Sequence, residues 1–311
     1  MHKRYIAWLV PCLLVTAAAT ALGGCAVVYR AGMEVLYQEE TLPAGRIVAD
    51  VAYREDPHAD PEKHRLDLYL PVGEGWPTVV FVHGGGWTTG DKNLSVGGGD
   101  IYGNIGRYLA RRGVGAAVIN YRLLPGVVWS DQFDDVARAV AWVEKHVGTH
   151  GGDPARLFLM GHSAGAHLIS GVAFNPALLG AYGSTPEAVC GVVAVSGAAY
   201  DLTDEETFAE GGLGYFKKRF DHADDWRRVV STIPFITAEA PPFLILYGTR
   251  ESHGLKRQSQ LLDEMLRRAG VPSEIVIVPG QTHTRILLTL SRDDKTAGPA
   301  ILDYVRTTPC G

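Results

Sequence analysis

The sequence predicts an α/β fold: a mostly parallel central sheet with helices on both faces and a small cap insertion. Three observations carry that reading. Short apolar runs alternate with segments of helical period from about residue 65 to residue 306. Several of those runs are apolar at every position, as strands buried on both faces are. Between residues 200 and 238 the alternation gives way to mixed charged and aromatic sequence, the candidate cap.

Taken in order, residues 46–53 and 65–70 read as two short strands of an antiparallel start. Residues 78–82 and 114–120 read as buried strands, separated by a helix over 103–112. Residues 131–146 form a strong helix pattern: Phe133, Val136, Ala137, Val140 and Val143 recur on one face behind an acidic first turn. A strand at 157–160, a helix at 164–172 and a strand at 189–195 follow. After the insertion come a strand at 243–247, a helix at 255–269, a strand at 274–278 and a last helix at 300–306. Residues 26–45 read as a linker or a loosely docked arm, and the glycines Gly97, Gly98 and Gly99, which follow no strand, read as a mobile loop.

Composition narrows the class. The chain has 311 residues, of which 46% are hydrophobic and 20% charged, so a buried core is within reach and a disordered polyelectrolyte is excluded. Lys and Arg total 29 against 34 Asp and Glu, with no basic run beyond the extreme N-terminus, which argues against nucleic acid as a partner. No His/Cys cluster has metal-ligand spacing, so no metal and no cofactor is expected.

The N-terminus reads as an address. His2-Lys3-Arg4 precedes an uncharged, largely apolar stretch over 5–22, which closes on Leu22-Gly23-Gly24-Cys25. A single membrane span, needing roughly 20 apolar residues, is the competing reading. Small residues directly before a cysteine resemble the lipobox of bacterial lipoproteins. That resemblance implies cleavage before Cys25, lipid attachment at Cys25 and anchorage in a membrane of the bacterial cell envelope. Ala26, standing where an Asp favours inner-membrane retention, leans towards the outer membrane, facing the periplasm. The chain then divides into a signal over 1–24, a lipidated linker over 25–45 and one α/β domain over 46–311 that includes the 200–238 insertion. Of the other cysteines, Cys12 lies in the signal and Cys190, in an apolar run, reads as a small core residue. Whether Cys190 pairs with Cys310 stays open at this level.

The chemistry comes from where residues fall relative to strand ends. Gly161-His162-Ser163-Ala164-Gly165 fits G-x-S-x-G with a strand directly before it and a helix directly after, the strand–turn–helix that presents a nucleophile. A serine needs a base. Of the histidines that follow, His167 lies one helical turn beyond Ser163 and suits packing, and His222 belongs to the cap. His253 is a lesser candidate, while His283 follows the 274–278 strand and so reaches the sheet edge that holds Ser163. The base needs a carboxylate. Glu251, after the 243–247 strand, is the first candidate and Asp201, one strand earlier, its rival. The order Ser163, Glu251, His283 is that of α/β-hydrolases. Oxyanion donors come from His83-Gly84-Gly85-Gly86-Trp87 after the 78–82 strand and from the N–H of Ala164. His83 braces that loop; Trp87 either walls the pocket or caps the core.

Together with Asn120-Tyr-Arg-Leu-Leu-Pro125 and Gly151-Gly-Asp-Pro154, these motifs resemble the esterase/lipase α/β-hydrolases. The similar branch holds hormone-sensitive-lipase-like carboxylesterases, isoprenylcysteine methylesterases, feruloyl-esterase-type enzymes and arylformamidases. The resemblance implies an α/β-hydrolase fold and a cofactor-independent serine carboxylesterase acting on small-to-medium esters through an acyl-enzyme. It places the nucleophile on Ser163, the base on His283 and the oxyanion donors on Gly85, Gly86 and Ala164. Glu251 stands where many members have Asp. An arylformamidase-like amide hydrolase and an inactive binding protein of the same fold are the alternatives.

Overall fold

The computed structural model describes residues 37–222 and 224–310; the signal, Cys12, Cys25 and the first part of the arm lie outside the described residues. The chain opens with β1 (Ile47–Ala52), β2 (Arg65–Tyr69) and β3 (Trp76–Val82), then a small hairpin of β4 (Ser95–Val96) and β5 (Gly99–Asp100). Next come α1 (Ile101–Arg111), β6 (Gly115–Ile119), α2 (Trp129–His146), β7 (Gly152–His162), α3 (Ala164–Phe174), α4 (Pro176–Gly180) and β8 (Val189–Val195). The insertion contributes α5 (Leu213–Phe220) and α6 (Trp226–Val230). The chain closes with β9 (Phe243–Gly248), α7 (His253–Arg268), β10 (Ser273–Val278), α8 (Arg285–Leu288) and α9 (Ala297–Thr307).

Eight strands form one sheet in the order β1-β2-β6-β3-β7-β8-β9-β10. The β1/β2 and β2/β6 pairs are antiparallel and the remaining pairs parallel. Strand β3, buried along its whole length, sits inside the sheet and divides its side chains between two cores: Val80 and Val82 pack with α2 and α3 residues, Val79 and Phe81 with α1 and α9 residues. Strand β7, which leads into Ser163, lies between β3 and β8, so the glycine loop and the serine turn leave the same edge side by side.

Four readings change or sharpen. The 97–99 glycines are not a free loop: Gly97 and Gly98, at φ 60° and 86°, make the tight turn of the β4/β5 hairpin. Where described, the arm is docked on α1. The Glu40 carboxylate, 4% exposed, lies between Arg111 (3.1 Å) and Arg112 (2.9 Å), and Tyr37 donates to the Asp100 carbonyl. Cys190 is buried but not a free thiol. It is disulfide-bonded to Cys310 across 120 residues, because α9 carries the tail back past the start of β8, where Tyr304 covers Gly191. Strand β7 begins at residue 152, earlier than its apolar run, because β3 continues back to Trp76 and pairs with it there.

Candidate active site

The serine turn is set by steric necessity. Ser163 sits at φ 55°, ψ −118°, a conformation costing roughly 1–3 kcal/mol for a residue with a side chain, and its N–H donates to the Val195 carbonyl at 3.0 Å. A Cβ on Gly165 would stand 2.1 Å from the Val82 carbonyl oxygen, so only glycine lets α3 start this close to β3.

The structure brings Ser163, His283 and Glu251 together. The Ser163 hydroxyl donates to His283 Nε2 at 2.9 Å. Glu251 is buried; its Oε1 accepts from the Ser196 hydroxyl (2.6 Å) and the Gly248 N–H (2.8 Å), while its Oε2 faces His283 Nδ1 at 3.5 Å. Neither Oε2 nor Nδ1 has a hydrogen-bond partner, so each is left for the other. At 3.5 Å the contact is an ion-pair approach short of a formed hydrogen bond, the looseness common before substrate binds. Asp201 is spent elsewhere: its Oδ1 accepts from the N–H and hydroxyl of Thr203. His253 opens α7.

On the other side of Ser163, Gly85 (φ 122°) and Gly86 (φ 58°) shape the loop after β3. Among the described residues nothing accepts a hydrogen bond from the backbone N–H of Gly85, Gly86 or Ala164. His83 braces this loop. Its Nδ1–H donates to the Gly84 carbonyl at 2.7 Å, its ring stacks on Tyr121, and burial pushes its pKa down to about 4. Trp87 caps the core and does not wall the pocket. It is 1% exposed, packs on Phe220, and its indole N–H donates to His167 Nδ1 at 3.2 Å. His167 in turn donates from Nε2 to the Val230 carbonyl, and burial holds it neutral with a pKa lowered to about 4.

Two residues escaped the sequence reading. His162, the variable position before the serine, donates from Nε2 to the His283 carbonyl at 2.8 Å and so holds the histidine loop from behind. Burial, and next the neighbouring His283, pull its pKa down to about 3, so it stays neutral while doing this. Arg219 reaches from α5 to the glycine loop, donating from Nε to the Gly86 carbonyl at 2.9 Å. No motif marks Arg219; the insertion carries no pattern that says which face meets the sheet. The pocket over Ser163 measures about 440 Å³, with Leu94, Val96, Ile101, Leu287 and Leu288 as apolar walls and Tyr215 and Arg219 as the insertion's contribution. Among the described residues no group of three or more His, Cys, Asp or Glu side chains is placed to hold a metal ion.

Sheet order, serine turn and crossing helices make this an α/β-hydrolase fold. Solved esterases share it: an inhibited esterase B from Lactobacillus rhamnosis superposes with a TM-score of 0.70 at 23% identity, covering 94% of this chain and 95% of that one. The esterase from Pyrobaculum calidifontis gives 0.69 at 20% identity, covering 93% and 94%. Residues 66–266 match the family model described as BD-FAE, and the chain belongs to that family. Relatives include a probable isoprenylcysteine alpha-carbonyl methylesterase of Oryza sativa subsp. japonica, 31% identical, covering 74% of this chain and 58% of that protein. The esterase LipQ of Mycobacterium tuberculosis is 30% identical, covering 77% and 58%. The chain thus spans little more than half the length of these curated relatives.

Proposed function

We propose that the protein is a serine carboxylesterase working through an acyl-enzyme. The observation that carries this is the 2.9 Å contact between Ser163 Oγ and His283 Nε2, beside three unengaged backbone N–H groups. Ser163 attacks the ester carbonyl carbon while His283 takes the hydroxyl proton, and the oxyanion is held by the N–H groups of Gly85, Gly86 and Ala164. His283 passes its proton to the leaving alcohol, then activates water to release the acid and free Ser163. Glu251 fixes the His283 tautomer and stabilises the imidazolium from Nδ1. The substrate is a small-molecule ester, a reading supported by relatives named as methylesterases and esterases. The test is fluorophosphonate labelling followed by a panel of esters and aryl formamides. Labelling at Ser163 with ester turnover is the expected result. No label would make the fold a binding protein, and turnover of formamides alone would make it an amide hydrolase.

We propose further that Cys25 carries a lipid and anchors the protein in the bacterial envelope, with the outer membrane facing the periplasm as its site. The motif at 22–25 supports this, as does the Cys190–Cys310 disulfide, which suits an oxidising compartment. Cys25→Ser is expected to leave an unprocessed precursor or release the protein from the membrane fraction. Mass spectrometry finding an unmodified Cys25 in the mature protein would overturn the anchor.

A further inference from the structure

Among the described residues, Arg219 is the one permanently charged side chain lining the pocket over Ser163, and no carboxylate there balances it. Arg219, on α5, lines this pocket together with the apolar residues Leu94, Val96 and Leu287. Its Nε donates to the Gly86 carbonyl (2.9 Å), its Nη1 to the Tyr215 carbonyl (2.7 Å), and its guanidinium lies 3.4 Å from the centroid of the Tyr215 ring. These contacts fix the plane of the guanidinium but involve only neutral acceptors. Among the described residues Nη2 has no hydrogen-bond partner and no carboxylate lies within ion-pair distance of Arg219. Among the described residues no Asp or Glu lines the pocket. A planar, oriented cation with free donors suits a bidentate anion.

Building on the esterase reading, we propose that Arg219 selects esters carrying a second, anionic group, with a carboxylate as the simplest case. The apolar wall accommodates the carbon chain between the ester and that group. The anion meets Nη2 and the free hydrogen of Nη1, beside the glycine loop that receives the ester carbonyl. Arg219 is a specificity determinant here and moves no proton.

The alternative is that Arg219 only braces Gly86, and matched substrate pairs separate the two. Methyl hexanoate against monomethyl adipate puts the anion on the acyl side; phenyl butyrate against 3-carboxyphenyl butyrate puts it on the alcohol side. The quantity read is the anionic-to-neutral ratio of kcat/KM within each pair. In at least one pair R219Q and R219M should lower that ratio roughly 10- to 100-fold, mainly through KM, the loss expected for a charge-assisted hydrogen-bonded contact. R219K, which keeps the charge but not the fork, should fall in between. With the unmodified protein, which needs no variant to fold, raising salt from low to high should raise KM for the favoured anionic ester more than for its neutral partner. A ratio unchanged in both pairs, with all rates falling together, overturns the inference and leaves Arg219 as a brace. Turnover of none of the four esters by the unmodified protein overturns the esterase reading itself and this inference with it.

Discussion

The two edges of the parallel sheet are built by opposite means. At the carboxyl edge Trp87, Ser163, Ser196 and Ala199 all take positive φ without being glycine. The same edge buries unpartnered atoms at His83 Nε2, His162 Nδ1, Glu251 Oε2 and His283 Nδ1. At the amino edge the Gly75 N–H donates to the Gly151 carbonyl (2.8 Å), Tyr304 donates to the Pro242 carbonyl (2.7 Å), and Cys190 is bonded to Cys310. Backbone strain of roughly 1–3 kcal/mol per residue persists only where surrounding structure enforces it. Here the two cores and the backbone bonds at the turns themselves, Ser163 N–H to the Val195 carbonyl and Ser196 N–H to the Leu246 carbonyl, supply that enforcement, while the amino edge carries cross-links that hold the fold. Substitutions at the two edges should therefore separate rate from stability.

The sharpest break is at Ser163 and His283. Replacing either with Ala should lower kcat by about 10⁴–10⁶-fold, with the double variant losing little more, because the pair acts as a unit. Melting temperature should fall by no more than a few degrees, measured by calorimetry alongside the rates. A His283→Ala protein that kept most of its activity would move the base elsewhere.

A smaller effect on the same edge tests the acid. Glu251→Gln can still accept from Ser196 and Gly248, but it would present an amide N–H to His283 Nδ1 and favour the wrong tautomer. We expect a loss of ~10²–10⁴ in kcat, against less than about tenfold for Asp201→Asn. The opposite ranking in steady-state kinetics would make Asp201 the acid.

Moving to the amino edge, replacing Cys190 and Cys310 together with Ser should destabilise the fold by about 2–4 kcal/mol, since the bond closes a long loop, while kcat stays within about twofold. Denaturant titration beside kinetics checks both halves. A large loss of rate with no loss of stability would contradict the division between edges.

The effect that is smallest per step, at most about 1.4 kcal/mol per pH unit, is read through pH on the carboxyl edge itself. His162 is held neutral with a pKa near 3, below the ordinary 6.5, so in the window between those values the unfolded chain binds more protons than the folded one. Stability contributed by this residue is therefore present above about pH 6.5 and lost as pH falls towards 3. Relative to His162→Gln, the unmodified protein should lose up to about 1.4 kcal/mol more per pH unit across that range. Parallel slopes for the two proteins would mean that His162 titrates normally when folded.

How far the sequence reached follows the same line between local and distant. Alternating periods marked every strand of the large sheet and its long helices, since a strand or helix announces itself in the side chains it must bury on its own length. The serine turn was equally plain, because Gly161, Ser163 and Gly165 answer a steric demand made within five residues. Choices among distant residues were not written locally. Glu251 and Asp201 end neighbouring strands, and only the packing of the loops shows that one faces His283 while the other caps its own turn at Thr203. Trp87 could have faced the pocket or the core until Phe220 and His167 closed around it. Cys190 reads as an ordinary core residue until α9 brings Cys310 to it across 120 residues. The sequence by itself determined the layers, the strand–turn–helix and the candidate serine and histidine that the fold brings within 2.9 Å, because each rests on periodicity or on sterics within a few bonds. Tertiary structure alone decided the acid contact, the disulfide, the support from His162 and the cation in the pocket. Those depend on which surfaces meet when the sheet closes, and no local pattern encodes that meeting.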